Sequence, residues 1–265
     1  MRASDVLRRL DVINRGFSGY NTSNALSVLP QVFAPPSPGG PALKYLVKPR
    51  PISPGYARGL TAGPTADVDK FILFGANDAA VQLPTNFQHV PIVRYKANLI
   101  RIINHPIITA HKPKIFLVTP PPLDQIRVTV LDMANGHPAA ARQTKTSAAY
   151  SETVRQVVAE HPGVTLIDLH KAVMERAIEK TPGFDPKGPA LGDPEGGVRG
   201  YLEHLLPDGL HLSAESYRIF YDLVRPHVGT EWAGTPDEQR VGYVLPDWRD
   251  ASWLEEDAHL KGKSK

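Results

Sequence analysis

Residues 70–78 read Lys-Phe-Ile-Leu-Phe-Gly-Ala-Asn-Asp, a compact apolar run that ends at once in a polar turn. A run of this length between turn residues predicts a buried strand. Two similar runs follow at residues 114–118 and 163–168, and a shorter β-branched run precedes them at residues 12–14. The sequence therefore predicts four strands.

Helical patterns lie between these runs. Residues 91–104 begin with a proline, which suits a first helical turn, and carry an apolar stripe at helical spacing: Ile92, Tyr95, Leu99 and Ile102. Further helices are expected over residues 141–160, 169–179 and 214–228, the last of them capped by Ser213. Alternating strands and helices predict an α/β fold with a parallel sheet covered on both faces, in which chemistry gathers at the carboxyl ends of the strands.

Two stretches interrupt this alternation. Residues 34–66 hold eight prolines and five glycines, and we expect a disordered insertion there. Residues 181–200 are half proline or glycine and form a loop that can line a pocket. All three tryptophans fall in residues 230–265, where they are expected to dock a C-terminal extension with a basic tail against a domain of residues 1–229.

Composition excludes several classes of function. The net charge of +3 resides in the last five residues, which hold three lysines, so the body is neutral and no nucleic-acid partner is expected. The absence of cysteine excludes disulfides, thiolate metal sites and a cysteine nucleophile. No window approaches the roughly 20 apolar residues of a membrane span, and no signal peptide is recognisable. We therefore expect a cytoplasmic protein.

Three places in the chain are candidates for chemistry. Asp208 and His211 stand three residues apart before the last predicted helix, and a carboxylate bonded to one imidazole nitrogen leaves the other free to take a serine proton. The alternative is a Pro-Asp-Gly turn followed by an incidental histidine. Asn77 is either a turn former or an amide donor to an oxyanion. Gly16 either makes a tight turn or lends its N–H to the same oxyanion.

Ser18 invites assignment as a nucleophile, but the nucleophile-elbow pattern Gly-x-Ser-x-Gly needs a glycine at position 20, where tyrosine stands. A metal site made of Asp208 and His211 is also weak, because a catalytic zinc takes three protein ligands and no third one is evident. We expect neither.

In chain order these positions resemble the SGNH hydrolases, also called GDSL esterases, which are named for blocks containing serine, glycine, asparagine and histidine. Gly16, Asn77 and His211 match three of the four blocks, and Asp208 matches the aspartate three residues before the histidine. The stretches that resemble isoamyl-acetate-hydrolysing esterases are Asn14-Arg-Gly-Phe-Ser-Gly-Tyr-Asn-Thr22, Phe74-Gly-Ala-Asn-Asp-Ala-Ala80, Gln88-His-Val-Pro91, Thr119-Pro-Pro-Pro122 and Asp208-Gly-Leu-His-Leu212.

The resemblance covers roughly residues 5–228 outside the insertion. It implies a three-layer α/β/α sandwich with a flavodoxin-like parallel sheet, a small ester as substrate, hydrolysis by a serine mechanism, and no cofactor or metal.

The serine block of the family is not found. In the family a central strand ending in Gly-Asp-Ser precedes the glycine block, whereas here only ten residues precede Asp11 and no Gly-Asp-Ser occurs anywhere. We therefore expect the first central strand to be missing, its neighbours to have unpaired edges, and the chain as written to be inactive. Three explanations stay open: a start upstream of Met1, a truncated remnant, and a pseudo-esterase that keeps only a binding role.

Overall fold

The computed structural model describes residues 16–33, 69–230 and 239, and the backbone alone at residues 12–13 and 45–46. Its strands are β1 (Val12–Ile13), β2 (Tyr45–Leu46), β3 (Lys70–Leu73), β4 (Ile115–Val118) and β5 (Val164–Ile167). Its helices are α1 (Thr22–Val32), α2 (Ile92–Ile103), α3 (Pro106–Thr109), α4 (Gln125–Ala134), α5 (Thr144–Glu160), α6 (Leu169–Glu179), α7 (Leu202–Leu205) and α8 (Ala214–Val224), followed by a 3₁₀ turn (Arg225–His227).

The principal sheet is parallel, in the order β3-β4-β5. Phe71 is paired with Phe116, and Phe116 in turn with Thr165. All four residues of β4 are buried, which explains its uninterrupted apolar sequence, because a central parallel strand is covered on both faces. Each of the four predicted strands is confirmed to within one residue at either end.

Helices cover both faces of this sheet. On one face, Ile72 and Leu117 belong to a buried cluster with side chains of α1, α2 and α5, among them Leu29, Leu99 and Val154. On the other face, the rings of Phe71 and Phe116 stack with centroids 4.5 Å apart, and Phe116 lies 5.3 Å from the ring of His227, just after α8. The predicted three-layer α/β/α sandwich is confirmed.

Strand β2 lies inside the segment expected to be a disordered insertion. That prediction is wrong at Tyr45–Leu46, which pair in parallel with Val12 and Ile13 of β1. The rest of residues 34–66 lies outside the described part of the chain. The edge of β1 therefore has a partner, contrary to the expected unpaired edge, because exposed strand N–H and C=O groups accept any segment with the right spacing.

The predicted helices are confirmed, with differences at their ends. Tyr95, Leu99 and Ile102 of the α2 stripe are buried, whereas Ile92, one turn earlier, is 38% exposed. Ser213 caps α8 by accepting a hydrogen bond from the Ser216 N–H at 3.3 Å. Helix α8 ends at Val224 and not at residue 228, because Pro226 lacks the N–H that a further turn requires.

Helices α1 and α4 were not predicted. Helix α1 contains Pro30, which argues against a helix in sequence, yet its first turn is held by a capping box between Asn21 and Asn24. Helix α4 is capped by Asp124. Both helices thus depend on polar caps more than on a strong apolar periodicity.

The elements above belong to one compact unit, residues Val12–Val228. Of the second unit, Met1–Asp11 with Gly229–Lys265, only residues 229, 230 and 239 are described, so the predicted tryptophan anchors lie outside the described residues. The domain boundary at residue 229 stays a prediction. In the described part of the chain, no helix has the length and apolar character needed to cross a membrane.

Candidate active site

Asp208 and His211 lie within hydrogen-bond distance in the loop before α8. The Asp208 Oδ2 atom is 2.6 Å from Nδ1 of His211, and Oδ1 accepts the backbone N–H groups of Leu210 and His211 at 2.9 and 2.7 Å. Partial burial acts to raise the pKa of Asp208, but these hydrogen bonds hold it below its ordinary value. An ionised carboxylate only accepts, so the Nδ1 atom carries the proton.

The other ring nitrogen of His211 points into open surroundings. The imidazole is 79% exposed, and no described residue hydrogen-bonds to its Nε2 atom. A neutral imidazole with a protonated Nδ1 carries a lone pair on Nε2, which is the state that accepts a proton from a nucleophile.

The loop that carries this pair is fixed to the start of helix α4 through Gly209. Its φ angle is +84°, and a Cβ atom there would lie 2.7 Å from the Asp124 carbonyl oxygen, so only glycine fits. The Gly209 carbonyl accepts the Asp124 N–H at 2.9 Å. Asp124 is fully buried, and Arg199, in the loop of residues 181–200, donates to its carboxylate at 2.7 Å.

Asn77 lies just beyond β3, where its side chain is buried in a network of polar groups. Its Oδ1 atom accepts a hydrogen bond from Nη2 of Arg142 at 3.0 Å, and its Nδ2 atom donates to the Tyr20 carbonyl at 2.8 Å. Arg142 also donates to Oε1 of Gln88 at 2.9 Å and to the Ala76 carbonyl at 2.9 Å. The amide therefore has both ends held by protein groups.

The loop of residues 16–20 is held against the end of β3 by these contacts and by Asp78. Gln88 donates from Nε2 to the Gly19 carbonyl at 3.0 Å. Oδ1 of Asp78 accepts both the N–H and the hydroxyl of Thr22, at 2.9 and 2.5 Å. Gly16 and Asn77 are thus carried by two chain segments that are bonded to each other.

An apolar pocket lies next to this loop. Gly16, Phe17 and Tyr20 line one side of it, and side chains of α1, α2, α3 and β3, among them Leu29 and Ile72, line the rest. Gly16 also interacts with another group of the protein. Ser18, the rejected nucleophile, lies in an exposed turn of the same loop.

The predicted site residues therefore form two groups. Asp208 bonds to His211, and Asn77 bonds to the loop that carries Gly16, but within the described residues no hydrogen bond or ion pair joins the two groups. Their catalytic roles stay predictions. Sequence reasoning missed Arg142, Asp78 and Asp124; Asp78 adjoins Asn77 in a quoted motif, whereas Arg142 is marked by no pattern.

No group of three or more His, Asp or Glu side chains that could hold a metal ion occurs among the described residues. Asp208 and His211 thus have no third ligand close by in that part of the chain. The arrangement favours a hydrogen-bonded pair.

The parallel sheet with helices packed on both faces defines the class of fold, an α/β/α sandwich. The chain matches the GDSL-like lipase/acylhydrolase family over residues 2–219, and it belongs to that family. By family it is a carboxylic ester hydrolase.

Three relatives illustrate the similarity. The chain is 27% identical to a GDSL esterase/lipase of Arabidopsis thaliana, over 88% of this chain and 79% of the relative. It is 25% identical to the isoamyl acetate-hydrolyzing esterase 1 homolog of Bos taurus, over 98% and 83%. It is 24% identical to the isoamyl acetate-hydrolyzing esterase of Saccharomyces cerevisiae, over 93% and 80%.

Proposed function

We propose that this protein serves the hydrolysis of small carboxylic esters, acetate esters above all, by a serine mechanism in which Asp208 and His211 are the acid–base pair. The observation that carries the proposal is the 2.6 Å contact between Asp208 Oδ2 and His211 Nδ1. It orients the imidazole so that Nε2 can accept a proton.

The residues act in a defined order. A serine hydroxyl attacks the ester carbonyl carbon while Nε2 of His211 takes its proton, and the oxyanion that forms is held by N–H groups of Asn77 and Gly16. His211 then returns the proton to the departing alcohol. Water, deprotonated by the same imidazole, then attacks the acyl-serine. The bond from the acyl carbon to the serine oxygen breaks, His211 returns the proton to that oxygen, and the carboxylic acid leaves.

A small apolar substrate is supported by two observations. The pocket beside Gly16 is lined by apolar side chains and suits a short acyl or alcohol group. Two of the relatives carry names that refer to isoamyl acetate. We propose the same class of substrate for this protein. We also propose that it acts in the cytoplasm.

The serine must come from a Gly-Asp-Ser block, and the 265 residues contain no such block. We therefore propose that the polypeptide of residues 1–265 has no ester turnover by itself. A non-catalytic pseudo-esterase with a binding role is the alternative.

The test uses p-nitrophenyl acetate and two polypeptides. The first is residues 1–265, for which we expect no turnover above that of a His211→Ala control. The second, here called the serine-block fusion, carries an apolar strand ending in Gly-Asp-Ser and a helix ahead of residue 1. We expect the fusion to turn over the ester, with at least about a hundredfold loss on His211→Ala and about a hundredfold loss on Asn77→Ala.

Full activity of either variant in the fusion would mean that the site is wrongly assigned. Turnover by residues 1–265 that Ser18→Ala abolishes would make Ser18 the nucleophile and overturn the proposed inactivity. A well-folded fusion without turnover would favour the pseudo-esterase.

A further inference from the structure

Arg142 makes three hydrogen bonds, all of them to groups that surround Asn77. Its Nε atom donates to the carbonyl of Ala76, and its Nη2 atom donates to Oδ1 of Asn77 and to Oε1 of Gln88, at 2.9, 3.0 and 2.9 Å. The chain at Arg142 is itself fixed to this segment, because Ala80 and Arg142 form an antiparallel bridge. The guanidinium therefore binds three separate groups, namely the Ala76 carbonyl and the side-chain oxygens of Asn77 and Gln88.

These contacts decide which way the Asn77 amide faces. A guanidinium donates hydrogen bonds and accepts none, so the atom that meets Arg142 must be the amide oxygen. The Nδ2 atom then faces the other way, where one of its two hydrogens is taken by the Tyr20 carbonyl. Among the described residues, the Tyr20 carbonyl is the only acceptor of a hydrogen bond from Nδ2, and the proposed mechanism assigns the second hydrogen to the oxyanion.

We propose that Arg142 is a positioning residue that locks Asn77 with Nδ2 toward the substrate and polarises its amide; this rests on the proposed function, in which Asn77 is an oxyanion donor. A charged donor on the carbonyl oxygen draws electron density from the nitrogen and strengthens the hydrogen bonds that its N–H groups donate. The asparagine then meets the oxyanion already oriented, with no reorganisation during the reaction.

The surroundings of Arg142 support a fixed charge at this place. Burial lowers its pKa while the Asp132 carboxylate acts to raise it, but an arginine stays protonated. Lysine would keep the charge but lose the planar fork, since a single ammonium cannot reproduce the guanidinium's directional bonds to the Ala76 carbonyl, Asn77 and Gln88. The proposed role thus depends on the arginine and not on a positive charge alone.

The first measurement needs no catalysis and uses residues 1–265. The side-chain amide signals of Asn77 are assigned in a ¹⁵N-labelled protein by their loss in Asn77→Asp. We expect Arg142→Lys and Arg142→Gln to move these signals and to speed exchange of their hydrogens by about tenfold. Arg155→Gln is the matched control, because Arg155 is also a partly buried arginine but bonds to Asp168 and not to Asn77.

The second measurement uses the serine-block fusion. We expect Arg142→Lys to lower kcat by about tenfold while KM changes by less than about twofold, since the lost interaction forms only in the transition state. In an Asn77→Ala background, the same substitution should change kcat by less than about twofold. Arg155→Gln should leave kcat unchanged in both backgrounds.

The outcomes separate the two proposals. If Asn77→Ala costs turnover but Arg142→Lys leaves kcat and the Asn77 amide signals unchanged, Arg142 is not a positioning residue and the proposed function stands. If Arg142→Lys lowers kcat by the same factor with Asn77 present and with Asn77→Ala, Arg142 acts independently of Asn77 and the inference is overturned. If Asn77→Ala itself has no effect, the assignment of Asn77 in the proposed function fails, and the amide signals alone then report whether Arg142 orients it.

Discussion

Asp208 and His211 are three residues apart in the chain; the His211 side chain is exposed, with an accessibility of 79%, and the Asp208 side chain is partly buried, with an accessibility of 43%. Asn77, by contrast, is buried, and it is held by Tyr20 and Arg142, which come from two distant segments of the chain. The hydrogen bond of the proposed acid–base pair forms within one local turn, whereas the hydrogen bonds of the proposed oxyanion donor join distant segments. We therefore expect damage to the pair to affect turnover and leave stability unchanged, and damage around Asn77 to affect both.

The largest effect is expected from breaking the pair. In the serine-block fusion, Asp208→Asn should lower kcat by about a hundredfold or more, because the imidazole loses the carboxylate that fixes its tautomer. The free energy of unfolding should change by less than about 1 kcal/mol, since the pair is accessible to solvent. Asp222→Asn, which breaks an exposed ion pair with Arg218 on α8, is the control and should affect neither quantity. A loss of less than about threefold in kcat would remove Asp208 from the mechanism.

On the buried side, Thr22→Val tests the anchor of the loop that faces Asn77. The hydroxyl of Thr22 donates to Asp78 and accepts from Asn98 at 2.9 Å, so a methyl group of the same shape removes one hydrogen bond from each of two buried polar groups. We expect a loss of about 2–3 kcal/mol in the free energy of unfolding, measured by denaturant titration. Thr109→Val is the matched exposed control and should cost less than about 0.5 kcal/mol. Similar costs for both variants would contradict a tertiary anchor.

Gly209→Ala tests whether the Asp208–His211 pair also depends on the tertiary contact between Gly209 and Asp124. Its positive φ and the close Asp124 carbonyl predict a loss of about 2 kcal/mol in unfolding free energy, with a fall in kcat of the fusion as the loop shifts. Gly163→Ala has a comparable φ of +98° but nothing within 4 Å of the added Cβ, so it should cost only about 1 kcal/mol. If the two losses are equal, close packing on Asp124 adds nothing to the conformational strain.

The smallest effects are opposite pH dependences of stability. Asp208 has a lowered pKa, so the stability it contributes is full above its ordinary value of 3.8 and is lost as the pH falls through its folded pKa. Burial raises the pKa of Asp78 despite hydrogen bonds from Thr22, so its ionised form is a penalty that is relieved as the pH falls through the raised value toward 3.8.

Unfolding titrations from pH 7 to pH 3 check these signs. Relative to Asp208→Asn, the parent protein should lose stability on acidification, by less than about 0.5 kcal/mol after solvent screening. Relative to Asp78→Asn, it should gain on the order of 1 kcal/mol. If both differences in unfolding free energy changed in the same direction with pH, the contrast between Asp208 and Asp78 would be contradicted.

By itself, the sequence determined the class of fold and the local chemistry. Strands and helix α2 could be predicted because their buried side chains leave apolar patterns in the sequence. These patterns are the short apolar runs of the strands and the periodic apolar stripe of α2. The pairing of Asp208 with His211 was also predictable, because a three-residue spacing across one turn leaves few other arrangements. The motif around Asn77 placed that residue at the end of a strand, since β3 is the most regular of the apolar runs.

Only the tertiary structure decided what holds Asn77 and what pairs with β1. Arg142 is 65 residues from Asn77 in sequence, and a single arginine among many gives no sign of its partner until the chain brings the two together. Likewise, Tyr45–Leu46 lies in a segment rich in proline and glycine, yet it forms a strand because an open sheet edge supplies the hydrogen-bonding partners. Contacts between distant segments depend on which groups the fold leaves unsatisfied, and local patterns do not encode that information.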